Sequence, residues 1–259
     1  MTNSSAGLTL GIDLDMWNEH GVKLPITTDL SLGTNSHMIL CGMSGSGKSY
    51  AEQTYIAKIK IAQPEGELWF ADYKGDDSFS YLNYRPLYRR YRDTLEALDG
   101  VYEKLQARLS GADTERHPIT LVWDEYMANI LALTNEDKKL AAVVMNKVSE
   151  ILLMGRSMSV RLICSCQRPD AIAFPAGSRL NYGIVVVLGA AIRSIYEMLM
   201  PDHIEQVKGR QFGRGEGVAL LQGTELHFIK IPTVRDHGRM KALCIEAVST
   251  RRIQHDFRG

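Results

Sequence analysis

The stretch HMILCGMSGSGKS, His37 to Ser49, decides the fold. HMILC is a short apolar run of the kind that makes a buried parallel strand. GMSGSGKS then places Gly42, Gly47, Lys48 and Ser49 in the spacing GxxxxGK[ST], and the residues from Lys48 to Ala62 have helical periodicity ending before Pro64. A strand, a glycine-rich turn and a helix in that order are what a phosphate-binding loop requires. Its glycines let backbone N–H groups curl around phosphates, the helix N-terminus adds a favourable dipole, and Lys48 neutralises β- and γ-oxygens. A chance glycine-rich turn is the alternative, and the agreement of both flanks speaks against it. Gly42, Ser44, Gly45, Ser46, Gly47, Lys48, Ser49 and Tyr50 form the expected nucleotide-binding set, with Ser49 as a magnesium ligand.

Working outward, ELWFADY is the next apolar strand, ending in Asp72 and Lys74, and Tyr91 to Leu109 has helical period. ITLVWDEY is a third strand whose C-terminal end carries Asp124 and Glu125. Ligands collect at that edge of α/β sheets. Asp124 is suited to the magnesium shell and Glu125 to polarising the water that attacks a γ-phosphate; a pair of solvated strand-end acids is the alternative. Asp137 to Met158 reads as one long helix with Leu140, Val143, Val144, Val148, Ile151 and Leu152 on its buried stripe. VRLICSC and YGIVVVLG supply two further buried strands, and Gln167, just past the first of them, is placed to sense the γ-phosphate or orient water, or is simply a polar strand end. GVALLQG with TELHFIKIP reads as a closing hairpin, and LTLGIDLD with VKLPITTDL, around the turn-prone NEHG, as an N-terminal one.

Strands alternating with helices give an α/β fold with a mostly parallel central sheet flanked by helices and added β-hairpins near both ends. We expect an N-terminal hairpin extension over residues 1–36, an ATPase core over 37–240 and a tail over 241–259 with a helical tendency. The chain has 259 residues, is 45% hydrophobic and 23% charged, and balances 30 basic with 30 acidic residues, so a nucleic-acid partner would need a local basic surface. YRPLYRRYRD, which interleaves Arg85, Arg89, Arg90 and Arg92 with tyrosines, is one candidate; a solvated face or a subunit contact explains it as well. No apolar run reaches membrane-spanning length and the start MTNSSAGLTL lacks signal-peptide features, so the chain is expected in the cytoplasm. The four cysteines make neither a disulfide scaffold nor a metal site, and Cys164 and Cys166 are expected as buried thiols on one strand face.

These elements together resemble the motor domain of the FtsK/SpoIIIE DNA translocases, in the FtsK–HerA class of RecA-like P-loop NTPases. HMILCGMSGSGKS resembles the family's P-loop and ADYKGDD its Asp-x-Lys-Gly. TLVWDEY resembles the Walker B strand, MGRSMSVRLICSCQRPD the arginine, strand and Gln-Arg-Pro element, AAIRS an arginine-bearing turn, and FGRGEGVALL a Gly-Arg-Gly-acidic hairpin. The resemblance implies ATP with Mg2+, a homo-oligomeric ring, hexameric in this family, and double-stranded DNA in its channel. Arg156 and Arg193 match family positions that could face a neighbouring subunit's phosphates, Arg156 first; capping of its own helix end is the alternative role for Arg156. No membrane segment, preceding motor lobe or winged-helix domain after Met240 is evident, which suits a mobile element, a plasmid transfer system or a virus. A secretion or conjugation-coupling ATPase with a membrane-channel or transfer-machinery partner is the main competing expectation, ahead of a slow nucleotide-dependent assembly switch.

Overall fold

The structure, a computed structural model, describes residues 7–30, 37–174 and 180–249; parts of the expected N-terminal hairpin and C-terminal tail lie outside them. Ten strands form one sheet in the order β2-β1-β10-β9-β8-β3-β7-β6-β4-β5. Its parallel half comprises β3 (Met38–Gly42), β4 (Glu67–Asp72), β5 (Tyr88–Arg90), β6 (Ile119–Asp124), β7 (Val160–Cys166) and β8 (Ile184–Leu188). All residues of β3, β4, β6, β7 and β8 are buried, as helices on both faces require. One face carries α2 (Lys48–Ala62) packed on α8 (His237–Ala247), and the other carries α3 (Thr94–Leu109), α4 (Tyr126–Glu136) and α5 (Lys138–Met154).

The antiparallel half comprises β9 (Glu216–Leu221), β10 (Glu225–Lys230), β1 (Leu8–Asp13) and β2 (Pro25–Thr28). β1 and β2 pair as expected, but α1 (Leu14–His20) joins them in place of a simple turn. Asp13 caps that helix through the Met16 amide, and Gly21 ends it in the left-handed region. β10 pairs with β1, so the N-terminal strands extend the same sheet. β9 approaches β8 so closely that a Cβ on Gly217 would collide with the Val187 carbonyl oxygen. This contact lies next to the strand end that braces the P-loop.

Several local expectations need correction. The helix predicted from Asp137 is preceded by a second one, α4, and gives way at Gly155–Met158 to a single 3-10 turn. Leu140 and Val143 are exposed; Ala141, Val144, Val148, Ile151 and Leu152 form the buried stripe. The tyrosine- and arginine-rich segment contributes the edge strand β5 and a 3-10 turn, Tyr91–Asp93, before α3 begins at Thr94. α8 starts at His237 and runs across position 241. Cys41, Cys164, Cys166 and Cys244 are all buried free thiols.

His37 shows how the first parallel strand is held. Its ring is buried, and Nδ1 accepts the Leu162 amide at 3.1 Å, so Nε2 carries the ring proton, with no partner among the described residues. Burial, helped by Arg161 and Arg156, lowers the pKa to about 3. The folded protein therefore holds this imidazole neutral where an unfolded chain would protonate it. Stability conferred by His37 is full above its unfolded pKa of ~6.5 and drains away as pH falls toward 3, by at most ~1.4 kcal/mol per pH unit. His37→Asn, which keeps an acceptor for the Leu162 amide, is expected to flatten this part of the stability–pH curve. Denaturant titrations between pH 4 and 7 check it, and parallel wild-type and variant curves would assign the slope elsewhere.

Candidate active site

β3 ends at Gly42 and α2 starts at Lys48, so the residues between them close a tight loop. Gly45 and Gly47 take φ of 83° and 94°, values that favour glycine. Ser46 N–H donates to the Met43 carbonyl at 3.0 Å and Ala51 N–H to the Gly47 carbonyl at 3.0 Å, while the amides of Gly45, Gly47 and Lys48 find no acceptor among the described residues. A concave set of free N–H groups at a helix N-terminus is an oxyanion cradle. The loop is braced from the antiparallel side: Gly215 N–H donates to the Ser46 carbonyl at 2.8 Å, and a Cβ on Gly189, just past β8, would meet Ser46 Cβ at 2.8 Å.

Lys48 is buried and turned toward the ends of β6 and β7. Its Nζ lies 2.6 Å from Asp124 Oδ1, 3.3 Å from Glu125 Oε1 and 3.2 Å from Ser165 Oγ. Ser165 Oγ donates to the same Asp124 oxygen at 2.6 Å. Gln167 Nε2 donates to Glu125 Oε1 at 3.1 Å. Glu125 has φ 54° and ψ 38°, a left-handed conformation that is costly for a residue with a side chain and recurs at functional sites. Burial works against a charged Lys48, yet Glu52, Asp124 and Glu125 together push its pKa above the ordinary lysine value. Glu52, one helical turn beyond Lys48, is fully buried near Ser165, and burial, with Asp124 nearby, pushes its carboxyl well up.

The expected residues separate into two groups. Lys48, Asp124, Glu125 and Gln167 converge at the C-terminal edge of the sheet, with Ser49 half-buried on the first turn of α2 and its hydroxyl unbonded among the described residues. Asp72 shares this edge, but Tyr88 OH at 2.6 Å and the Gly75 amide at 2.7 Å occupy its carboxylate. Tyr50 faces away from this cluster in its bonding, its hydroxyl accepting the Val234 amide at 2.6 Å. Arg193 opens α6 (Arg193–Leu199) and is tied to Glu197 at 2.7 Å. Arg156 lies at the opposite edge, before β7, exposed and without a hydrogen bond or ion pair among the described residues. It lines a cavity of about 540 Å³ with His37, Tyr182 and Gln222.

No protein-family model matches the chain. The FtsK domain-containing protein YdcQ of Bacillus subtilis is 25% identical over 221 residues, covering 76% of this chain and 44% of that protein. The chain is a distant homologue of an FtsK-domain protein. It spans less than half of that relative's length. Among solved structures, the pCW3 conjugation coupling protein TcpA with ATPγS superposes with a TM-score of 0.67 at 17% identity, covering 88% of this chain and 66% of that one. The cytoplasmic domain of the Thermomonospora curvata type VII secretion ATPase EccC gives 0.65 at 18%, covering 95% and 31%. The genome packaging NTPase B204 of Sulfolobus turreted icosahedral virus 2 with ATPγS gives 0.52 at 15%, covering 76% and 98%. The shared feature is a P-loop ATPase fold.

Within this P-loop fold, two contributors escape the sequence reading. Ser165, one residue before the end of β7, has the alternation of an inward strand position as its sole sequence signal, yet it joins Lys48 to Asp124. Glu52 reads as a routine helix residue, although its spacing of four from Lys48 puts both on one face. Ser165→Ala is expected to remove a bond shared by two buried charges, at ~1–3 kcal/mol. In a domain of this size that lowers the melting temperature by roughly 2–4 °C per kcal/mol. Thermal unfolding without nucleotide checks it; an unchanged melting point would mean that Lys48 and Asp124 hold each other unaided.

Proposed function

We propose that the chain is an ATP-hydrolysing motor that moves double-stranded DNA through a homo-oligomeric ring, as part of DNA transfer by a mobile element, plasmid or virus. The observation that carries this reading is the convergence of Lys48, Asp124, Glu125 and Gln167 beside a loop of free amides. In this reading the amides from Ser44 to Tyr50 and the Gly42 turn seat the phosphates, and Lys48 leaves Asp124 for the β- and γ-oxygens. Glu125, anchored by Gln167, takes the proton of the attacking water, and Gln167 reports whether a γ-phosphate is present.

Magnesium fits the residues present. Asp124 uses Oδ1 for both of its hydrogen bonds, leaving Oδ2 for a water of the metal shell, and the unbonded Ser49 hydroxyl is the second oxygen. Among the described residues no three His, Cys, Asp or Glu side chains group to hold an ion, as suits a cation bound chiefly by phosphate and water. Bound there, Mg2+ would supply charge neutralisation to the phosphates. The core over 37–240, extended by the N-terminal strands, would act in the cytoplasm; no helix among the described residues is long and apolar enough to cross a membrane.

Arg156 favours an oligomer. It stands at the sheet edge opposite its own P-loop, too far round the domain to serve it, and makes no bond to the end of α5. The outward face of α5 leading to it, with Ala142, Val143, Asn146 and Leu153 exposed, carries no charge at those positions and suits a second copy of the chain. In the ring Arg156 would stabilise charge on a neighbour's γ-phosphoryl oxygens, with Arg193 the alternative finger. DNA contact through the arginine-rich segment is restricted, since Arg89 is held by Glu96 at 2.7 Å and Arg90 by the Gly75 carbonyl at 3.0 Å. Arg85 and Tyr84 are its fully available members. The likeness to TcpA and EccC supports a second reading, a conjugation-coupling or secretion ATPase acting on a protein or nucleoprotein.

Steady-state ATP hydrolysis with no polymer, duplex DNA, single strands and RNA at two salt concentrations separates the two readings: stimulation by bare duplex supports translocation, and indifference to every nucleic acid supports a protein substrate. Glu125→Gln is expected to keep ATP binding while turnover falls by ~10²-fold or more. Normal turnover in this variant would move the general base elsewhere. Lys48→Ala and Arg156→Ala protomers are each expected to be inactive and to recover hydrolysis when mixed, since the arginine of one then meets the intact P-loop of the other. Failure to recover with mixed assembly confirmed would shift the finger to Arg193.

A further inference from the structure

The Gly-Arg-Gly turn ahead of β9 has no part in the chemistry described so far, although it lies against the P-loop. Besides the Gly215 amide bonded to the Ser46 carbonyl, the Gly215 carbonyl accepts the Ile231 amide at 2.7 Å, which fixes the turn from both sides. A Cβ on Gly47 would meet Gly215 N at 3.1 Å and Arg214 Cγ at 3.6 Å. Arg214 is exposed and makes no hydrogen bond or ion pair among the described residues. The acid beside it is already spent: Glu216 binds Lys230 at 2.6 Å and the Gly213 amide at 2.9 Å. The stem of an arginine with no bonded partner among the described residues thus lies against the residue immediately before Lys48.

Sheet order tells which part of a nucleotide this cation meets. β3, which feeds the P-loop, stands between β8 and β7; β6 lies beyond β7, and β9 lies beyond β8. Asp124, Glu125 and Gln167 therefore flank the loop on one side and Arg214 on the other. The γ-phosphate must face Glu125 for water to be activated there, so the Arg214 side receives the opposite end of the triphosphate.

We propose that Arg214 is a second phosphate-binding cation of the same protomer, directed at the α- and β-phosphates of a nucleoside di- or triphosphate. Lys48 and the Walker B acids read the γ end. This rests on the nucleotide reading of the P-loop and adds to it a contact that does not distinguish ATP from ADP.

The test is equilibrium binding of ADP, ATPγS and AMP to the full chain, by calorimetry, for wild type, Arg214→Ala and Arg214→Lys, with melting temperatures taken without nucleotide. In Arg214→Ala the affinities for ADP and ATPγS are expected to fall together by ~10- to 100-fold, the scale of one lost charge-assisted hydrogen bond. Arg214→Lys should recover most of that loss, because a point charge still attracts phosphate, and melting without nucleotide should be unchanged. A loss confined to ATPγS would make Arg214 a γ-phosphate sensor and overturn the proposal, as would unchanged ADP affinity. A wild-type chain that binds none of the three overturns the P-loop reading, and this proposal with it, before any variant is measured.

Discussion

The buried pair of Lys48 and Asp124, 2.6 Å apart, is the constraint on which the rest of the structure depends. A charged amine under so little solvent is tolerable when its partner is close and hydrogen-bonded, and a carboxylate in the same place has the same need. To bring them together, the helix after β3 must start within reach of the end of β6, across the intervening β7. The parallel order β3-β7-β6 and the complete burial of those strands serve that requirement, and Ser165 supplies from β7 the polar bridge the gap calls for.

That arrangement also describes a resting charge state. Three carboxyl groups, Glu52, Asp124 and Glu125, surround one lysine, and burial keeps Glu52 inclined to hold its proton. A polyphosphate entering the loop competes with these acids for Lys48. In the proposed function, much of the work of binding would be an exchange of one set of anionic partners for another.

Much of this was legible in the sequence because the signals were strong and local. HMILC, the glycine spacing and the acids after LVW each fix a strand end and the chemistry that follows it. The losses came at the margins of strong signals. The helix start at Asp137 was legible, but α4, directly after the acids of β6, was not, and Leu140, whose amide Asp137 caps, is exposed and off the buried stripe. β5 was hidden because three residues of an arginine-rich run show no alternation, and their pairing with β4 is a tertiary decision. Ser165 and Glu52 were hidden for a different reason: their importance lies in distances to Lys48 and Asp124, which spacing along a chain does not contain.

The junction of β1 with β10 joins residues 8–13 to residues 225–230, and β3 waits for partners more than a hundred positions downstream. Such distant pairing makes for slow folding, since the long loops must close before their contacts are rewarded. On the ribosome the phosphate loop emerges well before the turn that steadies Ser46 and the strand that pairs with β1. A nascent chain halted before residue 215 would expose the loop with one flank bare. The order of translation therefore leaves the phosphate loop unbraced until residues beyond 215 have emerged.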